Sequence, residues 1–578
     1  WGCRSLVCSS CGFSGLPAID SKLIAYRRLL CKAEGAPTRC RSVQFLLEPA
    51  FGRALFSLCA YLCVFTDAVF GVVSVLDIAA QDFLVLFLFA YLLPGLTDAP
   101  FVEFVLGLYL VMDLRPLPGV AFLMLVALLS RLASRGVVLA NQRVLASANV
   151  STYKFTSTMS KFSPAARVSG MGESVWVEFG QLALEVKPVN LGQGFPDMPP
   201  PESVAKPLRE VVEKDGNFMM HQYTRSFGHP RLVKALAALY GKLIGREINP
   251  NTEVLVTIGA YEALFCVFMG LINPGDEVII IEPFYDCYEP MVRMAGGTPV
   301  FIPLRLKKTD DKISSADWVL DPDELKSKFS SKTKLIVVNT PHNPLGKIFS
   351  KDELSMIADL CKKHDVVAIM DEVYEWIVYS GSTHFRMSTL PDMWERTITI
   401  GSAGKTFSVT GWKTGWAYGP SNLLKALQLV HQNSVYTCPT PLQEAIAVGL
   451  EVETAKIGQN DSYWKGLAEE LEPKRDRICK FLHDVGMNPT VPQGGYFLIA
   501  DFSQFAKNID MSAFKGSRDY QFAKWLSTTQ KLQGIPPSAF YGEEHKRLAQ
   551  DYIRFCFFKK DSTLAQAEEI IRKLPSKM

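Results

Sequence analysis

From about residue 155 onward, short apolar runs rich in Val and Ile alternate with amphipathic stretches. Glu277-Val278-Ile279-Ile280-Ile281 is followed by a turn and then by the helix-like Tyr288 to Ala295. The same strand pattern recurs at Glu253 to Thr257, Leu335 to Val338, Val366 to Met370 and Thr397 to Ile400. Strands that are apolar at every position are buried on both faces, which is the condition of a parallel sheet covered by helices. The pattern therefore predicts an α/β fold with a mostly parallel sheet between helices. No internal repeat and no low-complexity run interrupts it.

Residues 1 to about 150 follow a different pattern. Their apolar runs, such as Phe83 to Thr97 and Pro116 to Ser130, are each 15 residues long between charges. That is short of the roughly 18 to 20 residues a membrane-spanning helix needs, so a membrane association is not expected, although an anchor is the alternative role for this region. It also holds seven of the 13 cysteines, among them Cys8 and Cys11. That pair would be half of a zinc site, but no second pair follows at suitable spacing, and no metal is expected. A chain of 578 residues exceeds one ordinary domain, and the excess lies in this region, which we read as an extension that takes no part in function.

Between the two regions, Leu114 to Gly172 contains no Asp or Glu, while Arg131, Arg135, Arg143, Lys154 and Lys161 are interspersed with Ser, Thr and Ala. Residues 131–165 thus have the composition of a mitochondrial transit segment. A product that includes Arg131 is expected in mitochondria, and one starting at Met159 in the cytoplasm. The net charge of +3 gives no case for nucleic-acid binding. Cys266, Cys287, Cys361, Cys438, Cys479 and Cys556 sit in apolar or strand-like contexts and are expected to be buried thiols, not disulfides.

Four strand ends carry candidate chemistry. Lys405 lies in Gly401-Ser402-Ala403-Gly404-Lys405-Thr406-Phe407, just after the strand Thr397 to Ile400, with Lys413 eight residues on. An amine beside glycines, a serine hydroxyl and a second cation suits a phosphorylated aldehyde, with the amine for the carbonyl and the donors for the phosphate. One lysine among 61 Lys and Arg residues would ordinarily be a surface residue, so the case depends on the other three segments. Val366 to Met370 runs into Asp371, with Tyr374 three residues later. A carboxylate there is commonly a helix cap, but buried it would keep a pyridine nitrogen protonated. Leu335 to Asn339 runs into Thr340-Pro341-His342-Asn343-Pro344-Leu345-Gly346, and Glu253 to Thr257 into Ile258-Gly259-Ala260, where backbone N–H groups at a helix start suit a phosphate. All four place polar groups beyond the carboxyl end of a strand, where open α/β sheets bind ligands.

With these segments in hand, residues 166–578 are identified as resembling the fold-type I pyridoxal-phosphate aminotransferases, and within them the kynurenine aminotransferase and cysteine-S-conjugate β-lyase group. Matching motifs span the whole stretch: Asn190-Leu191-Gly192-Gln193-Gly194-Phe195-Pro196-Asp197, Gln222-Tyr223-Thr224, Glu282-Pro283-Phe284-Tyr285-Asp286-Cys287-Tyr288, His431-Gln432-Asn433-Ser434-Val435 and Ile553-Arg554-Phe555-Cys556-Phe557. The resemblance implies a large coenzyme-binding domain over about 210–450 and a smaller domain formed by the flanking parts. It implies that Lys405 holds pyridoxal 5'-phosphate and shuttles the substrate proton, and that Asp371 pairs with the ring nitrogen. Asn343 and Tyr374 would bond the phenolic oxygen, and Tyr285 would stack on the ring. Ser402, Lys413, Gly259 and Ala260 would hold the phosphate.

The same resemblance assigns the substrate side. Arg554 would grip the α-carboxylate, which its flat two-pronged guanidinium suits better than an ammonium does. Gly194, Trp176 and Asn343 would line the pocket. In a homodimer, Tyr223 would reach the neighbouring subunit's phosphate and Tyr436 its side-chain pocket, although packing is the more common role of a tyrosine. The implied reaction moves an amino group from L-kynurenine, glutamine or a related amino acid to a 2-oxo acid, with β-elimination on cysteine S-conjugates. The alternative is a regulatory protein that keeps the fold without turnover. That would call for a basic helix-turn-helix module, which residues 1–150 do not resemble.

Overall fold

The computed structural model describes residues 164–213, 217–307 and 312–574. The expectations for the apolar, cysteine-rich extension, the Cys8 and Cys11 pair and most of the transit-like segment therefore lie outside the described residues. Among the described residues no helix is long and apolar enough to cross a membrane.

Seven strands form the main sheet: β1 (Val254–Thr257), β2 (Glu277–Glu282), β3 (Thr298–Pro303), β4 (Thr333–Asn339), β5 (Val367–Asp371), β6 (Thr397–Ser402) and β7 (Gly415–Tyr418). Their spatial order is β1-β7-β6-β5-β4-β2-β3. Every neighbouring pair is parallel except those of β7, which runs antiparallel to both β1 and β6. The sequence pattern predicts this sheet, and its strands are buried almost throughout because helices cover both faces. Among the helices are α1 (Val175–Val186), α2 (Gly259–Leu271), α3 (Tyr288–Met294), α4 (Lys351–His364) and α5 (Ser421–Ser434). The start of α4 shows why these boundaries fall where they do. The Ser350 side chain accepts from Glu353 N–H while the Glu353 carboxylate accepts from Ser350 N–H, which satisfies donors that a helix start leaves free.

A second sheet joins β8 (Asn488–Val491), β9 (Phe497–Asp501) and β10 (Tyr552–Cys556) to the short strand Ile313–Ser314. Its central feature is the register that places Arg554 of β10 opposite Ile499 of β9. The six cysteines after residue 163 are free and buried, as expected from their apolar surroundings.

One consequence of the main sheet carries the site. Four strands, β1, β4, β5 and β6, leave it at the same edge, and the antiparallel β7 enters there, with Ser402 opposite Gly415 and Gly415 opposite Thr257. Segments far apart in sequence thus deliver Gly259, Asn343, Asp371, Lys405 and Lys413 to one crevice.

Candidate active site

A cavity of about 310 Å³ opens at that edge. Of the fourteen residues singled out above, twelve line it: Trp176, Gly194, Gly259, Ala260, Tyr285, Asn343, Asp371, Tyr374, Ser402, Lys405, Lys413 and Arg554. Tyr223 and Tyr436 do not. They are 77% and 56% exposed and meet each other edge to face, with ring centroids 5.6 Å apart.

Lys405 follows β6 in a single helical turn, Ala403–Thr406. Its amine opens onto the cavity but is otherwise enclosed by protein, and burial, aided by the nearby Lys413 charge, lowers its pKa from 10.5 to about 8. At neutral pH a useful fraction is therefore the free amine, the form that attacks a carbonyl or takes a proton. The same shift has a stability consequence. Below pH 8 the folded chain carries a charge that its surroundings disfavour, a penalty of at most about 3 kcal/mol once water in the cavity is allowed for. The penalty fades as pH rises from about 8 towards 10.5, where only the unfolded chain still gains the proton. The coenzyme-free Lys405→Met variant is therefore expected to melt above the coenzyme-free parent at pH 7, and the gap should close by pH 10 in calorimetry.

Asp371 ends β5 and is buried, and loss of water raises its carboxyl from 3.8 to about 6. Its backbone carbonyl accepts from Asn339 Nδ2 at 2.8 Å, and the Asn339 amide oxygen accepts from Asn343 N–H at 2.7 Å. Asn339 thus ties the ends of β4 and β5 together, a role the sequence pattern does not reveal although Asn339 stands at a strand terminus. Burial pushes the Tyr374 and Tyr285 phenols up, so both remain protonated and able to donate.

Another part of the cavity lining, at the start of α2, has features suited to an anion. Gly259 begins α2 with φ at +72°, a backbone conformation that favours glycine, and the first N–H groups of a helix have no partner within it. A Cβ on Gly415 would lie 2.4 Å from the Ala260 nitrogen, so this glycine lets β7 pack directly beneath the turn. Ser402 and Lys413 also line the cavity, and a Cβ on Gly259 would lie 3.5 Å from Lys413 Nζ.

Arg554 is fully buried, and among the described residues no carboxylate is bonded to it. Its Nη1 donates to Asn343 Oδ1 at 3.0 Å and its Nη2 to the Gly192 carbonyl at 2.6 Å, while Nε has no partner. The rings of Phe497, Trp176 and Phe540 surround it at 4.2, 4.9 and 5.3 Å. Burial lowers its pKa only to about 10, so it stays charged. A desolvated cation with an orphan donor calls for an anion from solution. Trp176 is held in turn by its Nε1 bond to Asp286 at 2.8 Å. Phe497 has no local sequence signal, yet it limits the pocket: a Cβ on Gly194 would come within 2.4 Å of its ring.

The sequence profile of the aminotransferase class I and II family matches residues 186–571. The chain belongs to this family. It is 56% identical to kynurenine--oxoglutarate transaminase 3 of Mus musculus over 71% of its own length and 90% of that protein's. Against the Homo sapiens protein of the same name the identity is 54%, over 74% and 94%. Among solved structures, the N-succinyldiaminopimelate aminotransferase of Mycobacterium tuberculosis superposes with a TM-score of 0.64 at 34% identity, covering 72% of this chain and all of that one. The Thermus thermophilus aspartate aminotransferase with maleate gives 0.61 at 27%, with the same coverage. The chain is an aminotransferase of the kind that works with pyridoxal 5'-phosphate, and the fold-type I architecture expected from its sequence stands.

Proposed function

We propose that this enzyme transfers the amino group of L-kynurenine, glutamine and related amino acids to a 2-oxo acid, acts as a homodimer, and eliminates the Cβ substituent of cysteine S-conjugates. The observation that carries the reading is one cavity holding Lys405, Asp371 and Arg554 together with an anion cradle. The names of its relatives support the substrate class. The residues fit pyridoxal 5'-phosphate, with a cradle at one end for the phosphate, a carboxylate to meet a ring nitrogen, an aromatic side chain at Tyr285 and a buried amine. Gly259, Ala260, Ser402 and Lys413 would hold the phosphate, Asp371 the nitrogen, Asn343 and Tyr374 the phenolic oxygen, and Lys405 the aldehyde carbon. Bound there, the coenzyme supplies an electron sink for the substrate Cα.

The chain's own part follows from its geometry. Arg554 orients the α-carboxylate, and Asn343, bonded to Nη1, fixes the guanidinium plane. Gly194, Trp176 and Phe497 narrow the approach and exclude water, and Trp176, Tyr285 and Phe497 offer aromatic surface to an aromatic amino acid. Lys405 takes the proton from Cα and returns it during transfer. The exposed Tyr223 and Tyr436 support a second subunit, and Tyr436 holds φ at +71°, a costly conformation for a tyrosine that packing against a partner would offset. The acid-free stretch before residue 173 supports a mitochondrial destination.

Elimination shares the first step. After Lys405 removes the Cα proton, a thiolate departs from Cβ with the electron pair of the C–S bond, and hydrolysis gives pyruvate and ammonia. The test is to assay keto-acid formation from kynurenine and thiol release from a cysteine S-conjugate on the same preparations. Both activities should vanish in Lys405→Ala, and in Arg554→Ala both should lose about two orders of magnitude in kcat/KM, the worth of one desolvated charge-assisted pair. Thiol release that survives in Lys405→Ala would detach elimination from this site.

A further inference from the structure

We propose that Tyr288 is a positioning residue that aims Asp371 at the coenzyme ring nitrogen. The Tyr288 hydroxyl donates to Asp371 Oδ2 at 2.5 Å, and both side chains are buried. Tyr288 does not line the cavity, so anything it does for the reaction passes through Asp371. It stands at the start of α3, three residues after Tyr285, and the two rings meet at 74° with centroids 6.2 Å apart. One turn of chain therefore supplies both the aromatic wall of the cavity and the contact behind its carboxylate.

The donor and acceptor roles follow from the surroundings. Burial and the Asp371 charge push the Tyr288 phenol well above 10, so it keeps its proton and donates. Oδ1 of the same carboxylate is left with only a long contact, 3.5 Å, from Val373 N–H, while Asp371 itself faces the cavity. A carboxylate anchored through one oxygen presents the other in a fixed direction. A hydrogen bond to the ionised form also favours that form against the burial that disfavours it. Lys405 reinforces the charge and Glu372 opposes it, but neither is hydrogen-bonded to the carboxylate. An ordinary core tyrosine would satisfy its hydroxyl in the same way, so the test must separate aiming from packing.

The inference rests on Asp371 meeting the ring nitrogen, and the test keeps the two apart. Coenzyme-free wild type, Tyr288→Phe, Asp371→Asn and the double variant are titrated with pyridoxal 5'-phosphate and with its 1-deaza analogue, in which a C–H replaces the ring nitrogen. Tyr288→Phe removes one oxygen and leaves the buried ring, and unchanged binding of the analogue shows that the pocket is intact. The expected result is that wild type prefers the true coenzyme, and that Tyr288→Phe weakens it about tenfold or more while the analogue binds as before. The double variant should bind the coenzyme no more weakly than Asp371→Asn alone, because the two residues act as one unit. Unchanged coenzyme affinity in Tyr288→Phe, or equal weakening for both ligands, would overturn the role of Tyr288. A wild type that binds both ligands equally would overturn the role of Asp371, and that of Tyr288 with it.

Discussion

Replacing Lys405 with alanine should lower kcat/KM for amino transfer by about 10⁴-fold or more, because the variant lacks the amine proposed both to hold the coenzyme and to move the proton. Coenzyme binding should weaken without being lost, since Ser402, Lys413 and the Gly259–Ala260 turn do not depend on Lys405. Absorbance should separate these effects. The visible band of covalently held coenzyme disappears in the variant, while dialysis still detects bound phosphate ester. Turnover at the parental rate would mean that another amine does the work.

The second large effect belongs to Asp371→Asn. An amide keeps the shape of the side chain and can still accept from Tyr288, but it carries no charge to favour a protonated ring nitrogen. Loss of one preorganised electrostatic contact of this kind lowers kcat by about 10² to 10³-fold. The substrate should bind nearly as before, because its proposed carboxylate site at Arg554 and Asn343 is left untouched, so kcat should fall with little change in KM. The pH dependence carries a second signature. Burial lifts the Asp371 carboxyl to about 6, so in the coenzyme-free protein its charge is fully present only above that pH. Coenzyme affinity of the parent should therefore decline more steeply through about pH 6 than that of the asparagine variant, which keeps only the decline due to Lys405 and the phosphate.

Much of this site was legible in the chain because parallel strands announce themselves. A strand buried on both faces is a continuous apolar run, and the first polar residues after it stand at the sheet edge where a ligand binds. Asp371, Lys405 and the Gly259–Ala260 turn are all found this way, and Arg554 stands out as a cation between Ile553 and Phe555. What stayed hidden depends on distance along the chain. Arg554 meets Asn343 across 211 residues, and the contact that requires glycine at 194 comes from Phe497, so neither leaves a local trace. Tyr288 at a helix start resembles any core aromatic until its hydroxyl is seen against Asp371. Tyr223 and Tyr436 are different again, because their proposed partners belong to a second copy of the chain.

Lys405 is expected to be the residue joined to the coenzyme, and chemical trapping reads this directly. The protein is loaded with pyridoxal 5'-phosphate, reduced with borohydride to fix the linkage, digested, and its peptides mapped by mass spectrometry. One modified lysine, Lys405, is expected at close to one coenzyme per chain, with loss of amino transfer in proportion to labelling. Label on Lys413 or on scattered surface lysines, with Lys405 unmodified and activity retained, would contradict it.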